Sequence, residues 1–166
     1  MKTGIFLSLG SNQGDRSNNL HDARKKIEKQ AGKIVRASSI YSTAAWGVTD
    51  QPDFLNQVIE IHTTLTPGLL LEKTHAIEKS LGRIRSGKWG ARIIDIDLLI
   101  YRDVVLETAH LVLPHPQLPN RNFVLVPFCE IAPDQLHPIL HQTIQVLKDN
   151  CPDQLAVTKF QEDLEA

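Results

Sequence analysis

Two carboxylates lie on one short stretch of the chain whose pattern predicts a β-strand. Asp95 and Asp97 alternate with isoleucine and leucine over residues 93–100. Side chains two residues apart in a strand point to the same face, so the two Cα atoms would be roughly 6.5 Å apart. Such a pair repels itself unless one carboxyl is protonated or a cation lies between them. Hard divalent ions such as magnesium take oxygen ligands of this kind.

Four cations precede this strand in a loop that contains glycine, at Arg83, Arg85, Lys88 and Arg92. Carboxylates for a metal beside Arg and Lys side chains for oxyanions are typical of a phosphoryl-transfer site. The alternative is a solvated strand edge next to an ordinary charged loop. The crowding of both signs of charge into one stretch favours the phosphoryl-transfer site.

The elements that must position these groups follow a β-α-β-β-α-β order. Strand patterns cover residues 4–9, 34–41, 54–64 and 93–100. The first helix is predicted to begin after a Ser17 N-cap, and its apolar stripe is Leu20, Ala23, Ile27 and Ala31. The second is predicted to begin at the N-cap Thr66 with Pro67 in its first turn, and its stripe is Leu70, Thr74, Ile77 and Leu81. This order predicts an α+β, ferredoxin-like fold, with both helices on one face of an antiparallel sheet and the other face free for a site.

The remaining third of the chain predicts smaller elements. We expect a short strand pair over 103–113, a helix from Asn120 or Arg121 to about Ile131, and a last helix over about 143–150. The final residues are polar and are expected to fray. Because no repeat or internal linker is present, we expect a single domain over 1–166.

The composition excludes several classes of protein. The net charge of −1 provides no overall attraction to nucleic acid or to an anionic membrane. Cys129 and Cys151 have no metal-like spacing, and no apolar run approaches the length of about 18 residues that a membrane span needs. Neither a P-loop nor a dinucleotide-binding glycine motif is present. We therefore expect a cytoplasmic monomer that acts on small molecules, without a nucleic-acid or membrane partner.

One histidine stands out among the seven in the sequence. His115 lies between Pro114 and Pro116 and is followed by Arg121. The prolines stiffen this turn and could direct the imidazole at a phosphate; the alternative is a surface histidine in a turn.

Five blocks of sequence carry a resemblance to a known family. They are Gly-Ser-Asn at 10–12, Asp-Gln-Pro-Asp-Phe-Leu-Asn at 50–56, Gly-Arg-Ile-Arg at 82–85, Lys-Trp-Gly-Ala-Arg-x-x-Asp-Ile-Asp at 88–97, and Pro-His with Asn-Arg-x-Phe over 114–123. In this order, from residue 5 to about 135, the chain resembles the 6-hydroxymethyl-7,8-dihydropterin pyrophosphokinases of folate synthesis. The resemblance implies transfer of the β,γ-pyrophosphoryl unit of ATP to the pterin hydroxymethyl group, with release of AMP.

The resemblance also implies roles for individual residues. Asp95 and Asp97 would hold two magnesium ions, and Arg83 and Arg92 would act with them in catalysis. Contacts with ATP are implied for Arg85, Lys88, Leu98, His115 and Arg121. Contacts with the pterin are implied for Thr43, Ala44, Trp46, Phe54, Asn56, Trp89 and Phe123. Two aromatic rings can sandwich a flat heterocycle, although core packing is the alternative for the two phenylalanines. Glu78 would anchor the cationic loop, or else be a solvated helix residue.

The sequence departs from the family pattern at Ala44, His110, Val112 and Pro116, of which the last three bear on the nucleotide contacts around 110–116. Two other functions fit the same order of elements. An RNA-binding module would carry exposed aromatic residues where this chain has Asp95 and Asp97. An inactive regulatory domain is the other alternative, and the intact Asp95, Asp97, Arg92 and His115 argue against it.

Overall fold

The structure is a computed structural model, and it describes residues 4–44, 52–82 and 93–161. The first part of the chain contains, in order, β1 (Ile5–Ser11), α1 (Arg16–Gln30), β2 (Lys33–Ala37), β3 (Tyr41–Thr43), β4 (Phe54–His62), α2 (Pro67–Ser80) and β5 (Asp95–Tyr101). The second part contains β6 (Leu106–Glu107), β7 (Val112–Leu113), a 3₁₀ turn at Leu118–Asn120, α3 (Asn122–Ile131), α4 (Ile144–Asp149) and β8 (Thr158–Lys159).

The main sheet confirms the predicted ferredoxin-like order. Its strands run β5-β1-β4-β3-β8, and β2 also pairs with β4. The pairs that β1 makes with β4 and β5 are antiparallel, as are those that β2 and β3 make with β4. The short β6–β7 hairpin forms a separate two-stranded sheet, which confirms the predicted strand pair.

The second predicted strand, 34–41, is in fact two strands, because Ser38 interrupts the ladder. Its Oγ accepts a hydrogen bond from the backbone N of Val58 at 3.0 Å, and its carbonyl accepts one from the Gln57 side chain at 2.6 Å. The next strand ends at His62 rather than at 64. Thr63 leaves the ladder there, because its hydroxyl donates to the Ala31 carbonyl at 2.6 Å.

The helices begin and end close to the predicted residues, with one correction. The N-cap of α1 is Asp15 and not Ser17, since the Asp15 side chain accepts from the Asn18 amide at 3.1 Å. Asp and Ser are both good N-cap residues, so the sequence alone could not choose between them. The N-cap of α2 is Thr66 with Pro67 in the first turn, as predicted.

Apolar residues form one core on each face of the sheet. The first core lies between the sheet and helices α1 and α2, and it contains the predicted stripes, including Leu20, Ala23, Ile27, Leu70 and Ile77. The second core lies under α3 and α4, where the rings of Phe6 and Phe128 have centroids 4.5 Å apart. The expectation that the second face is free is therefore wrong in part, because α3 and α4 cover one end of it.

A β-bulge separates the two ends of β5. Leu7 of β1 lies opposite Leu98, whereas Phe6 lies opposite Ile100, so that Leu99 is an extra residue on β5. Leu99 and Ile100 consequently both belong to the second core, while Leu98 and Tyr101 belong to the first. The extra residue increases the local twist of the strand and moves its alternation by one position.

Residues 158–160 belong to the sheet, whereas the final residues 162–166, on which the predicted fraying also falls, lie outside the described residues. Instead of fraying, Thr158 and Lys159 pair with Ser42 and Tyr41 of β3. The Phe160 amide adds a hydrogen bond to the Ile40 carbonyl at 2.8 Å. Across the described ranges, no helix combines the length and the apolar character that crossing a membrane would require.

Candidate functional site

A cross-strand row of residues defines the uncovered end of the second sheet face. Asp95 on β5 lies opposite Gly10 on β1, Gly10 lies opposite Asn56 on β4, and Asn56 lies opposite Tyr41 on β3. Directly opposed residues of antiparallel strands share a face. Because neighbouring strands are spaced at about 4.8 Å, the Cα atoms of Asp95 and Asn56 lie roughly 10 Å apart.

The predicted carboxylate pair lies at one end of this row. Asp95 and Asp97 are both half-buried, while Ile96 between them is 3% exposed and points into the first core. The structure therefore places both aspartates on the same face, as the alternation of residues 93–100 predicts.

Glu78 holds the strand that carries this pair. Its side chain is only 3% exposed, so it is not a solvated helix residue. Its Oε2 accepts a hydrogen bond from the Ile96 amide at 2.7 Å. A carboxylate on α2 thus fixes the β5 backbone between the two aspartates.

His115 lies beside the carboxylate pair. Its amide donates to the Leu99 carbonyl at 2.8 Å, which docks the 114–116 turn on the outer edge of β5. Burial, helped by the charge of Arg121 and partly opposed by that of Asp95, lowers the pKa of the His115 imidazole to about 4. The ring is consequently neutral at pH 7.

The hydrogen bonds of His115 also fix its tautomer. Nδ1 accepts a hydrogen bond from the backbone amide of Gln117 at 3.1 Å. An acceptor nitrogen carries no proton, so the neutral ring carries its proton on Nε2. The structure therefore brings Asp95, His115 and Arg121 within electrostatic range of one another, with Nε2–H as an uncharged donor.

The other end of the row holds the predicted pterin-binding residues. The Asn56 side-chain amide donates to the Thr43 hydroxyl at 3.0 Å, and both residues are less than 5% exposed. Among the residues that the structure describes, the Asn56 Oδ1 has no hydrogen-bond partner. A buried acceptor of this kind is suited to a polar ligand edge.

Gly10 gives access to that acceptor. A Cβ atom at this position would lie 3.0 Å from the Asn56 Oδ1 and 3.9 Å from the Phe54 ring. Any larger residue would crowd the amide oxygen. The glycine of the Gly-Ser-Asn motif is therefore needed for space on the site face.

The two predicted stacking residues lie on different elements. Phe54 is half-buried at the start of β4, and Phe123 is half-buried in the first turn of α3, at the margin of the second core. The Arg121 guanidinium lies 5.7 Å from the centroid of the Phe123 ring. Within the described ranges, Phe54 and Phe123 make no ring–ring contact with each other.

The other predicted residues divide into two groups. Ala44 is exposed beside Thr43, and Leu98 is buried in the first core, so that any contact of Leu98 with a nucleotide would involve its backbone. His110, Val112 and Pro116 are exposed. The remaining predicted residues lie outside the described residues, namely Trp46, Arg83, Arg85, Lys88, Trp89 and Arg92.

Sequence reasoning missed the contacts that hold β3 against α3. The Tyr41 hydroxyl donates to Glu130 at 3.0 Å, and the same carboxylate accepts from the Ser39 amide. Burial, helped by Glu130, raises the pKa of Tyr41 to about 12. No sequence signal could have shown this contact, because the two residues are 89 positions apart.

The donor set of the site fits magnesium held jointly with a substrate. Over residues 4–44, 52–82 and 93–161, no group of three or more His, Cys, Asp or Glu side chains could hold a metal ion alone. Magnesium in proteins is usually bound by one or two carboxylates together with substrate phosphates. Asp95 and Asp97 supply that number of carboxylates and need a phosphate ligand to complete the site.

Comparison with known proteins agrees with this chemistry. Residues 6–133 match the family of 7,8-dihydro-6-hydroxymethylpterin-pyrophosphokinase (HPPK). A 2-amino-4-hydroxy-6-hydroxymethyldihydropteridine pyrophosphokinase of Aquifex aeolicus is 42% identical over 144 residues, which are 87% of this chain and 89% of that protein. An enzyme of the same name from Methylorubrum extorquens is 47% identical over 133 residues, covering 80% of this chain and 84% of its own length.

Solved structures show the same fold. The Plasmodium falciparum HPPK-DHPS wild-type crystal structure superposes with a TM-score of 0.69 at 17% identity, over 89% of this chain and 44% of that one. Identity this low supports the fold alone, whereas the family match and the two bacterial relatives concern function. The chain therefore belongs to the 7,8-dihydro-6-hydroxymethylpterin-pyrophosphokinase family, and it is a pyrophosphoryl transferase of folate biosynthesis.

Proposed function

We propose that the uncovered end of the second sheet face is where ATP and 6-hydroxymethyl-7,8-dihydropterin react. The observation that carries this proposal is the cross-strand row, which puts the carboxylate pair and the buried Asn56 amide on one face. The roughly 10 Å between the Cα atoms of Asp95 and Asn56 leaves room for a flat two-ring heterocycle between the Asn56 side-chain amide and the phosphate being attacked.

The β5 end of the row would bind the triphosphate. Asp95 and Asp97 would hold magnesium, with two ions as the proposed number, together with the phosphate oxygens. Magnesium would supply neutralisation of phosphate charge, which favours attack at the β-phosphorus. His115 would donate its Nε2–H to a phosphate oxygen, and Arg121 would contribute positive charge beside it.

The β4 end would bind and orient the pterin. The Thr43 hydroxyl holds the Asn56 amide in one orientation, so that Oδ1 can accept from the heterocycle edge. Phe54 and Phe123 would stack on its two faces. The pterin hydroxyl oxygen would then bond to the β-phosphorus as the bond from that phosphorus to the α,β-bridging oxygen breaks. AMP leaves with the bond electrons, and the hydroxyl proton is released.

The cations before β5 complete the proposal. Arg83 and Arg92 would stabilise the charge that develops on the departing AMP, and Arg85 and Lys88 would bind phosphate oxygens. Trp46 and Trp89 would border the pterin. These roles remain predictions from the resemblance, because the six residues lie outside the described ranges.

At the level of the whole protein, we propose a cytoplasmic monomer with one domain over 1–166 and no nucleic-acid partner. Both Cys129 and Cys151 are free thiols, as is usual in a reducing compartment. Among the described residues, the large exposed apolar side chains, including Val35, Leu69 and Val105, are distributed over several elements and are not concentrated on one. Sedimentation at a mass above 18.6 kDa would exclude the monomer, and two separate unfolding transitions would exclude the single domain.

The proposed site is tested by product analysis with matched variants. We expect ATP, magnesium and the hydroxymethyl-dihydropterin to yield AMP, and omission of the pterin or chelation of magnesium to stop its release. Asp95→Asn and Asp97→Asn each remove one ligand charge and should lower turnover roughly a hundredfold or more. Both variants should fold, because loss of like-charge repulsion does not destabilise the strand.

Asp103→Asn is the control, because Asp103 is an exposed residue in the turn directly after β5. It should release AMP at the wild-type rate. Near-normal turnover in either of the Asp95 and Asp97 variants would rule out the metal site, and ADP as the product would rule out pyrophosphoryl transfer.

A further inference from the structure

The C-terminal segment, residues 151–161, contacts the two elements that carry the proposed pterin-binding residues. Its strand β8 pairs with β3, which ends at Thr43. Its Asp153 contacts the start of α3, which carries Phe123. The segment is thus attached to both elements that carry proposed pterin-binding residues.

The contact at α3 replaces a missing helix cap. Arg121 occupies the N-cap position with extended backbone angles, and its side chain makes no capping hydrogen bond. A guanidinium has no acceptor and cannot cap an amide. Instead, Asp153 Oδ2 accepts a hydrogen bond from the backbone amide of Asn122 at 3.1 Å. Asp153 Oδ1 accepts from the Leu155 amide at 3.0 Å, which fixes the carboxylate in place.

This capping arrangement has a direct consequence for the site. Arg121 and Phe123 flank the capped residue, so the conformation of this first turn decides where both side chains lie. The first amides of a helix need a partner, and a negative charge at the helix start is favourable. Asp153 meets both needs from 31 residues away, and the Arg121 guanidinium lies 5.7 Å from the centroid of the Phe123 ring.

We infer that Asp153 is a positioning residue for pyrophosphoryl transfer. By capping α3 it holds Arg121 towards the triphosphate and Phe123 towards the pterin, without touching either substrate. This inference rests on the proposed function of those two residues. It assigns the C-terminal segment a part in substrate binding as well as in closing the edge of the sheet.

The test compares three variants with the wild-type enzyme. In Asp153→Ala the first turn of α3 loses its cap, and the dissociation constants of an unreactive ATP analogue with magnesium, and of the pterin added to that complex, should each rise roughly fivefold, the factor that corresponds to a typical capping energy. Asp153→Asn keeps one acceptor oxygen and should lie between Asp153→Ala and wild type.

Thr66→Ala is the matched control, since Thr66 caps α2 through the Leu69 amide and follows the end of β4 remote from Phe54. It should lower the melting temperature as much as Asp153→Ala does and leave both dissociation constants unchanged. Wild-type affinities in Asp153→Ala, or an equal weakening in Thr66→Ala, would overturn the positioning role.

A readout without substrate separates this inference from the proposed function. Hydrogen exchange at the amides of residues 122–125 should be faster in Asp153→Ala than in wild type, whether or not the enzyme releases AMP. Unchanged exchange there would overturn the capping role even in an active enzyme. Failure of the wild-type protein to form AMP would instead contradict the proposed reaction.

Discussion

At the scale of single residues, His115 differs from the other groups proposed to bind phosphate because it donates without a positive charge. Burial keeps its imidazole neutral, and the Gln117 amide keeps the proton on Nε2. A neutral donor is not strongly attracted to Asp95 or repelled by Arg121. It can therefore lie between groups of opposite charge without pairing permanently with either.

The depressed pKa of His115 predicts a pH dependence of stability. The folded-state pKa is about 4, whereas an unfolded histidine titrates near 6.5. Between these values the unfolded chain binds more protons, so the free energy of unfolding rises with pH. The contribution is complete above pH 6.5 and is lost as the pH falls to about 4. Because the ring is only half-buried, we expect a loss of roughly 1–2 kcal/mol.

Urea unfolding between pH 7 and pH 4.5 would measure this effect. The comparison variant is His115→Asn, whose side-chain oxygen can still accept from the Gln117 amide but does not titrate. Its stability should fall less steeply with decreasing pH than that of wild type. Burial also lowers the pKa of His137, which therefore contributes to the slope of both proteins and cancels in the comparison. Identical slopes would show that the pKa of His115 is not lowered in the folded state.

The hydrogen bond between Thr43 and Asn56 supports a second residue-scale prediction. Thr43→Val keeps the shape of the side chain but removes the acceptor that orients the buried amide. The pterin dissociation constant should rise roughly fivefold, as expected for the loss of about 1 kcal/mol. Thr43→Ser retains the hydroxyl and should bind the pterin almost as wild type does. Equal binding by the Val and Ser variants would mean that the hydroxyl has no orienting role.

At the scale of elements, β5 is the edge strand that carries the carboxylate pair, and α2 holds it in place. The outward backbone amides of an edge strand normally face solvent, but that of Ile96 donates to the nearly fully buried Glu78. Helix α2 therefore positions the strand that carries the carboxylate pair as well as filling the first core. A helix stripe in the sequence shows which residues are buried, but it cannot show that a carboxylate among them binds a strand.

Truncation of Glu78 tests this attachment. Glu78→Ala leaves the Ile96 amide without its partner and should lower the free energy of unfolding by roughly 2 kcal/mol. AMP release should fall as well, since Asp95 and Asp97 flank the released amide. Glu78→Gln keeps a neutral acceptor and should recover most of both properties. Chemical denaturation and turnover, measured on the same preparations, would decide; an Ala variant as stable as wild type would contradict the attachment.

At the scale of the whole molecule, local patterns predicted the sheet order and distant contacts determined the rest. The alternation along β5 and the stripes of α1 and α2 depend on burial that repeats within a few residues, so they can be read from the sequence. The covering of the second face by α3, the contact of Tyr41 with Glu130 and the ordering of the C-terminal segment each join residues that are far apart in sequence.

The candidate site divides in the same way. Strand alternation predicted that Asp95 and Asp97 share a face, and the structure places His115 within electrostatic range of both Asp95 and Arg121. The neutral state of His115 could not be predicted, because it results from burial by other elements. Neither could the supporting contacts of Glu78 and Asp153, since a carboxylate in a sequence gives no indication of which backbone amide it will meet.

The bulge at Leu99 has a consequence for changes in chain length. Removing one residue from a regular strand exchanges its two faces from that point onwards. Removing Asp97 would therefore turn Asp95 and its neighbours to the opposite face of the sheet. Removing Leu99 would instead restore uninterrupted alternation, with Ile100 still under α3 and Tyr101 still in the first core. The strand that carries the carboxylate pair thus contains one position at which a deletion, though it would cost packing, would leave every other side chain on its present face.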